Sequence, residues 1–204
     1  MRVLITGAGG FVGGHLVDHL LTLPGLALHA AVLNPPGQNP RLDGRPVVQH
    51  QVDLRDARAV RTLIDTVQPD RVFHLAAVAD VAQSFRDPWG TLENNIVAQV
   101  NLQEALLHSG ADTRVLIVSS GEIYGAAGGT PNPIDESYPF EPASPYSVSK
   151  VTQDMLGLQY YIAHRMPIIR ARPFNHIGPS QKGGFVAADF ASQIAAAEAG
   201  QREP

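Results

Sequence analysis

Arg2-Val3-Leu4-Ile5-Thr6-Gly7-Ala8-Gly9-Gly10-Phe11-Val12-Gly13 runs from a short apolar strand pattern straight into glycines spaced three apart, and then into a helix-period segment. That order, strand then glycine turn then helix, is the context a dinucleotide fingerprint requires. Gly7 permits the tight turn, Gly10 lets backbone approach a pyrophosphate, and Gly13 lets helix and sheet pack closely. The amides of this turn, with those of Phe11 and Val12, would face the anion at a helix N-terminus.

Downstream, short apolar runs alternate with helix-period segments. Strands are expected at residues 3–6, 28–33, 47–52, 71–75, 115–118 and 168–171. Helices are expected at residues 11–23, 56–67, 92–108, 145–164 and 186–199. Such alternation demands right-handed crossovers and a parallel sheet covered on both faces, so the fold class is α/β, doubly wound and Rossmann-like. Asp56 is expected to cap its helix, and Pro145 suits a first helical turn. Residues 34–46, with four prolines and two glycines, and residues 125–145 read as loops. After Pro173 glycines and prolines interrupt the chain. Residues 1–172 are therefore expected to form a dinucleotide-binding domain with the catalytic groups, and residues 173–204 to begin a smaller substrate-binding lobe.

Composition narrows the function. The 204 residues are 44% hydrophobic and 17% charged with a formal charge of -4, so no basic footprint for nucleic acid exists. With no cysteine there is no thiol nucleophile or thiolate metal site, and the eight histidines form no metal-ligand spacing. No metal is expected. The first ten residues read as a strand rather than a signal peptide, and no apolar run reaches membrane-spanning length, so a cytoplasmic protein is expected.

Ligands meet parallel sheets at the carboxyl ends of the strands. Asp53 and Leu54, after the third strand, are expected at the adenine, and Leu75, Ala76 and Ala77, after the fourth, at the pyrophosphate and ribose; His74 reads as a packed core histidine. The second strand ends at Asn34 without the carboxylate that would bind the 2′-hydroxyl of NAD and repel a 2′-phosphate. Arg41 and Arg45 follow in the loop and could reach a phosphate. NADP(H) is favoured, with NAD(H) possible.

The fifth strand runs into Ser119-Ser120-Gly121-Glu122-Ile123-Tyr124-Gly125, and Tyr146-Ser147-Val148-Ser149-Lys150 follows. Four-residue spacing stacks Tyr146 and Lys150 on one helix face, where an ammonium can lower the pKa of a phenol. Tyr146 can then trade a proton with a carbonyl, Ser120 can hydrogen-bond the same oxygen, and Lys150 can hold the nicotinamide ribose. A cap or turn role is expected for Ser119 rather than Ser120. Glu122 reads either as an acid/base group or as an acceptor for a substrate hydroxyl. A sensor that binds nucleotide without chemistry would need the glycine turn but neither the strand-end serine nor the tyrosine-lysine pair.

Through its glycine turn, His74-Leu75-Ala76-Ala77, the strand-end turn, Tyr146 to Lys150 and Ala171-Arg172-Pro173-Phe174-Asn175-His176-Ile177-Gly178-Pro179, the chain resembles the nucleotide-sugar branch of the extended short-chain dehydrogenase/reductases. The resemblance implies that Ser120 is the catalytic hydroxyl. It also implies that Asn94, Asn95 and Pro173 lie at the cofactor, and that Ser84, Ser120, Glu122 and Asn175 bind the sugar nucleotide. Ser180 stands where glycine is common. The motif from Ala171 to Gln181, with Phe185 to Ala195, is most similar to the branch that reduces GDP-4-dehydro-6-deoxy-D-mannose to GDP-rhamnose. Sibling 4,6-dehydratases carry a hydroxyl, an Asp or Ser, and a Glu in the strand-end turn; here Gly121 replaces the middle residue and Glu122 is kept. Dehydratase and epimerase remain the alternatives within the branch, although epimerases use an acidic second-strand end. The resemblance further implies that the polypeptide continues beyond residue 204 and that two copies pair as a homodimer. Ile96, Val100, Leu106 and Leu107, with Val148, Met155, Leu156 and Tyr160, are the residues offered to that interface.

Overall fold

The structure is a computed structural model that describes residues 1–125, 133–181 and 183–201. The part of the expected 125–145 loop at residues 126–132 lies outside the described residues. Six strands, β1 (Arg2–Thr6), β2 (Ala27–Val32), β3 (Val47–Gln51), β4 (Arg71–His74), β5 (Arg114–Val118) and β6 (Ile168–Ala171), form one sheet. All are parallel, in the order β3-β2-β1-β4-β5-β6. The strand order reverses between β1 and β4, where Thr6 is in register with His74. A crevice opens outside the carboxyl ends of strands at such a switch point.

Period-two alternation sends neighbouring side chains of β1 to opposite faces. Val3 and Ile5 join Val17, Leu20 and Leu28 beneath α1 (Phe11–Leu21). Leu4 joins Val72, Val115 and Ile117 on the other face. That face is covered by α2 (Ala57–Val67), α4 (Pro88–Ser109) and α5 (Pro145–His164). A short α3 (Val81–Arg86) precedes α4, and α6 (Val186–Glu198) lies in the last segment. Two compact units result, Met1–Phe174 and Asn175–Pro204.

The end signals explain the boundaries. Asp56 accepts from the amides of Arg58 and Ala59. Ser144 and Ser147 form a reciprocal capping box with Pro145 in the first turn of α5. α4 begins at Pro88 rather than Leu92, because Asp87 accepts from the Gly90 amide at 2.9 Å, and a Cβ at residue 90 would strike that carboxylate. α3 had no separate signal in the apolar pattern. Between β2 and β3 no helix forms. Instead Asn39 donates to the Asn34 and Pro35 carbonyls and to Gln49, and Leu42 plugs into the core, fully buried. The loop expected there is thus a built piece of the domain. In the second unit Ser180 adopts φ 64°, the left-handed region that favours glycine.

Candidate active site

The glycine turn is shaped by close backbone approach. Gly7 has φ 70°, and a Cβ there would lie 2.8 Å from the Ala76 amide nitrogen across the switch point. A Cβ on Gly13 would collide with the Gly7 carbonyl and come within 2.6 Å of the Ala8 Cα. Gly10 is the N-cap of α1 and offers no side-chain hydrogen bond, so the first amides of that helix have no competing cap. A bare helix N-terminus behind a turn that excludes side chains fits a pyrophosphate. Ala76 completes the cradle: its amide donates to Thr6 Oγ1 at 3.2 Å.

Around that cradle several expected contacts take other roles. Leu54 is buried in the core, and Leu75 packs against the cluster beneath α1, so their side chains serve the fold and leave only backbone to a ligand. Ala77 is half-buried just beyond Ala76. The Asp53 carboxylate is gripped by Arg55 at 3.0 and 2.6 Å, which holds its pKa below the usual range. The Asn34 carbonyl accepts from Asn39. Arg45 pairs with Asp18 at the surface. Arg41 instead lies along α1, its guanidinium 5.9 Å from the Phe11 ring centre and its side chain filling the space beside Gly14. Val12 on the same turn is exposed.

Two further expected site residues, in α3 and α4, are engaged by the fold itself. Asn95 is fully buried; its side chain accepts from the Val78 amide and donates to the Val78 carbonyl and Ser149 Oγ, at 2.7, 3.0 and 2.9 Å. Those bonds tie the segment after β4 to α5. Asn94 donates to Asn95. Ser84 is also fully buried, its hydroxyl donating to the Val81 carbonyl, and it presents no surface to a substrate. Asn175 is exposed at the start of the second unit.

The catalytic candidates converge at the end of β5. Ser119 is not a cap: its hydroxyl donates to the Lys150 carbonyl at 3.1 Å. Ser120 takes the cap role instead, accepting the Glu122 amide at 3.2 Å at the head of the short 3-10 turn Gly121–Tyr124, and its hydroxyl acts on the Tyr146 phenol to lower its pKa. Lys150 Nζ donates to the Val118 carbonyl at 2.9 Å and stands 5.8 Å from the Tyr146 ring centre. Burial lowers the pKa of Lys150 to about 8. The phenol is not lowered by the ammonium as the spacing suggested. Burial raises it, the Ser120 bond opposes the rise, and the Glu122 charge adds to it. A buried, protonated phenol beside a serine hydroxyl can donate a proton to an oxygen base.

His74 confirms its reading as a core histidine. It bonds Thr6 at 2.8 Å, and burial, with the Lys150 charge adding, lowers its pKa to about 3. Among the described residues no three His, Cys, Asp or Glu side chains gather as a metal site, and no helix is long and apolar enough to cross a membrane.

Residues 4–204 match the family described as GDP-mannose 4,6 dehydratase. The chain belongs to that family. GDP-6-deoxy-D-mannose reductase of Pseudomonas aeruginosa is 39% identical over 95% of this chain and 58% of its own length. GDP-mannose 4,6-dehydratase of Vibrio cholerae is 30% identical over 91% of this chain and 52% of its own. Among solved structures, RMD from Pseudomonas aeruginosa complexed with NADPH has a TM-score of 0.83 at 35% identity, covering 99% of this chain and 62% of that one. UDP-glucose 4-epimerase of Thermotoga maritima with UDP-glucose has a TM-score of 0.87 at 27% identity, covering 95% and 63%. The chain spans about half to three fifths of the length of these relatives. The family resemblance read from the motifs is borne out, and so is the doubly wound parallel fold.

Three features of this family member escaped the motif reading. Phe174 lies over Gly121, where an added Cβ would be 2.8 Å from the ring, and it stacks on Tyr124 at 6.2 Å and 17°. Asp154, fully buried, is bound by Arg170 and Arg172. Gln99, Gln103 and Gln153 form a buried amide layer between α4 and α5. Asp154 could have been found: it lies four residues after Lys150, on the face that carries Tyr146. The contacts of Phe174 and the glutamines have no local signal.

Proposed function

We propose that the chain holds the cofactor-binding and catalytic part of an NAD(P)H-dependent reductase. Its substrate is a 4-keto-6-deoxy nucleotide sugar, GDP-4-dehydro-6-deoxy-D-mannose, and its product GDP-rhamnose. One observation carries this reading. The strand-end turn supplies a hydroxyl and a carboxylate, while the position between them is glycine with an aromatic ring in the space a side chain would need. A dehydratase's third polar group would enter that space only if the Phe174 ring moved aside.

NADP(H) is the favoured cofactor and NAD(H) the second, on the glycine turn, the missing acid at Asn34, and Arg41 beside the first turn of α1. When bound, the cofactor supplies a hydride to the C4 carbonyl carbon. Ser120 accepts the Glu122 amide, and its proton, which interacts with the Tyr146 oxygen, can turn to the carbonyl oxygen when the substrate is bound. Tyr146 delivers its proton to that oxygen as charge develops; an alkoxide is a far stronger base than a phenolate, its parent hydroxyl being comparable to water at pKa ~15.7, so a raised phenol pKa does not obstruct the transfer. Lys150, anchored at Val118, keeps further protons for the ribose hydroxyls. Residues 1–172 carry these groups, and residues 173–204 begin the sugar-nucleotide lobe. A homodimer built on α4 and α5 is part of the proposal, supported by exposed Val148 and Met155; Leu106 and Tyr160 are buried in the core and drop out of it. The cytoplasm, where NADPH is plentiful, is the proposed compartment.

Glu122, beside the phenol, favours a second reading as a 4,6-dehydratase. Full-length protein given GDP-4-keto-6-deoxymannose and NADPH should consume NADPH, and given GDP-mannose and NADP should do nothing. Conversion of GDP-mannose to the keto sugar without net cofactor use would establish the dehydratase instead.

A further inference from the structure

We infer that Asp154 and Arg172 are positioning residues that hold the strand-end turn against α5, so that Ser120 stays in register with Tyr146; the inference rests on the catalytic roles proposed above. Ser120 and Tyr146 come from different elements, and keeping both at one substrate oxygen requires the turn to be fixed on the helix. The structure clamps the turn at both ends. At its start, Ser119 donates to the Lys150 carbonyl and Lys150 Nζ to the Val118 carbonyl. At its end, Tyr124 receives a hydrogen bond from Arg172 Nη1 at 2.9 Å. Arg172 in turn grips Asp154, one helical turn beyond Lys150, through Nε at 2.8 Å and Nη2 at 3.0 Å. Ser120 and Glu122 lie between the two clamps.

The remaining contacts make the second clamp stiff. Arg170 bonds the same carboxylate at 2.5 Å. The Arg172 guanidinium is 4.8 Å from the Phe140 ring centre and 5.7 Å from that of Tyr124, and it donates to the Glu136 carbonyl, tying down the segment that leads into α5. The next residue, Pro173, accepts the Gly121 amide at 2.7 Å. A fully buried carboxylate is weak evidence for stability, because desolvation offsets its attraction to the arginines. Its bidentate, planar geometry specifies position, which lysine would not reproduce.

The test uses Arg172→Lys, Asp154→Asn and Tyr124→Phe in the full-length protein. Tyr124→Phe keeps the ring and removes only the hydroxyl that Arg172 holds, so it stays informative if the charge variants do not fold. Misplacement of a catalytic group by ~1 Å can cost ~10²-fold, so kcat should fall about tenfold or more in Arg172→Lys and by a smaller factor in Tyr124→Phe. Affinity for NADPH, measured by fluorescence titration, should be unchanged, since the glycine turn is untouched. The Tyr146 phenol, followed by NMR of 13C-labelled tyrosine and assigned with Tyr146→Phe, should titrate at higher pH in each variant as the Ser120 bond loosens. Lower thermal stability with kcat per folded molecule and the Tyr146 titration both unchanged would overturn the inference. If the wild-type protein reduces no 4-keto sugar while the titration still moves, the clamp stands and the proposed reaction falls.

Discussion

The turns after β1 and β5 lie at the same end of one sheet and are built by opposite means. The first works by subtraction: at Gly7 and Gly13 a single methyl group would overlap backbone, and the helix N-terminus behind them carries no side-chain cap. The second works by addition. Ser119, Ser120, Tyr124, Tyr146, Lys150, Asp154 and Arg172 are joined by hydrogen bonds between segments far apart in sequence. A phosphate can be recognised by backbone amides, which every residue carries, so the protein need only remove obstacles. Proton transfer needs particular side chains within bonding distance, so the protein must hold them.

If that division is right, variants at the two turns should fail differently. The largest effect belongs to Tyr146→Phe, which should lower the rate of reduction by roughly 10²–10⁴-fold with NADPH affinity intact. Steady-state kinetics beside a binding titration reads both, and retained activity would break the comparison. Gly13→Ala should act through the other turn. Overpacking there costs about 1–3 kcal/mol, and displacement of the Gly7 carbonyl should weaken NADPH binding before it touches proton transfer. A binding constant and a melting curve for the variant check this; normal affinity would show that the turn tolerates a side chain.

The smallest expected effect sharpens the comparison from beneath the switch point. The folded-state pKa of His74 is lowered to about 3 by burial, below the ordinary value of about 6.5. Its neutral form is therefore the native one, and the unfolded chain binds the proton first as pH falls. Stability should be fully present above about pH 6.5 and decline at up to ~1.4 kcal/mol per pH unit as pH drops toward the folded value. His29 and His50, lowered chiefly by burial, act in the same direction. Denaturant titrations at pH 6.5 and pH 5, ahead of most carboxylate titration, should show a smaller slope for His74→Gln than for wild type. Equal slopes would mean that His74 is not the group that senses acid.

Much of the fold could be read without coordinates, because period and punctuation are local. α5 and β6 occupy the expected residues, and Asp56 and Pro145 cap and open their helices as the patterns require. α3 was missed because six residues carry too little periodicity to register. At the site, Ser120, Tyr146 and Lys150 come together as their motifs suggested. Asn95 and Ser84 do not reach the site surface, because an asparagine or serine looks the same in sequence whether its bonds go to a ligand or to the backbone of its own fold.

By itself the sequence determined the alternation of strands and helices, the glycine turn and the residue types of the site. Each rests on side-chain size, backbone freedom or periodicity within a few residues. Tertiary structure alone decided that Arg45 pairs with Asp18 while Arg41 lies along α1, and that Phe174 closes the space above Gly121. It also decided that the phenol of Tyr146 is raised rather than lowered. The physical reason is common to all three: burial and pairing are set by groups dozens of residues away, whose approach depends on how the sheet and its covering helices pack.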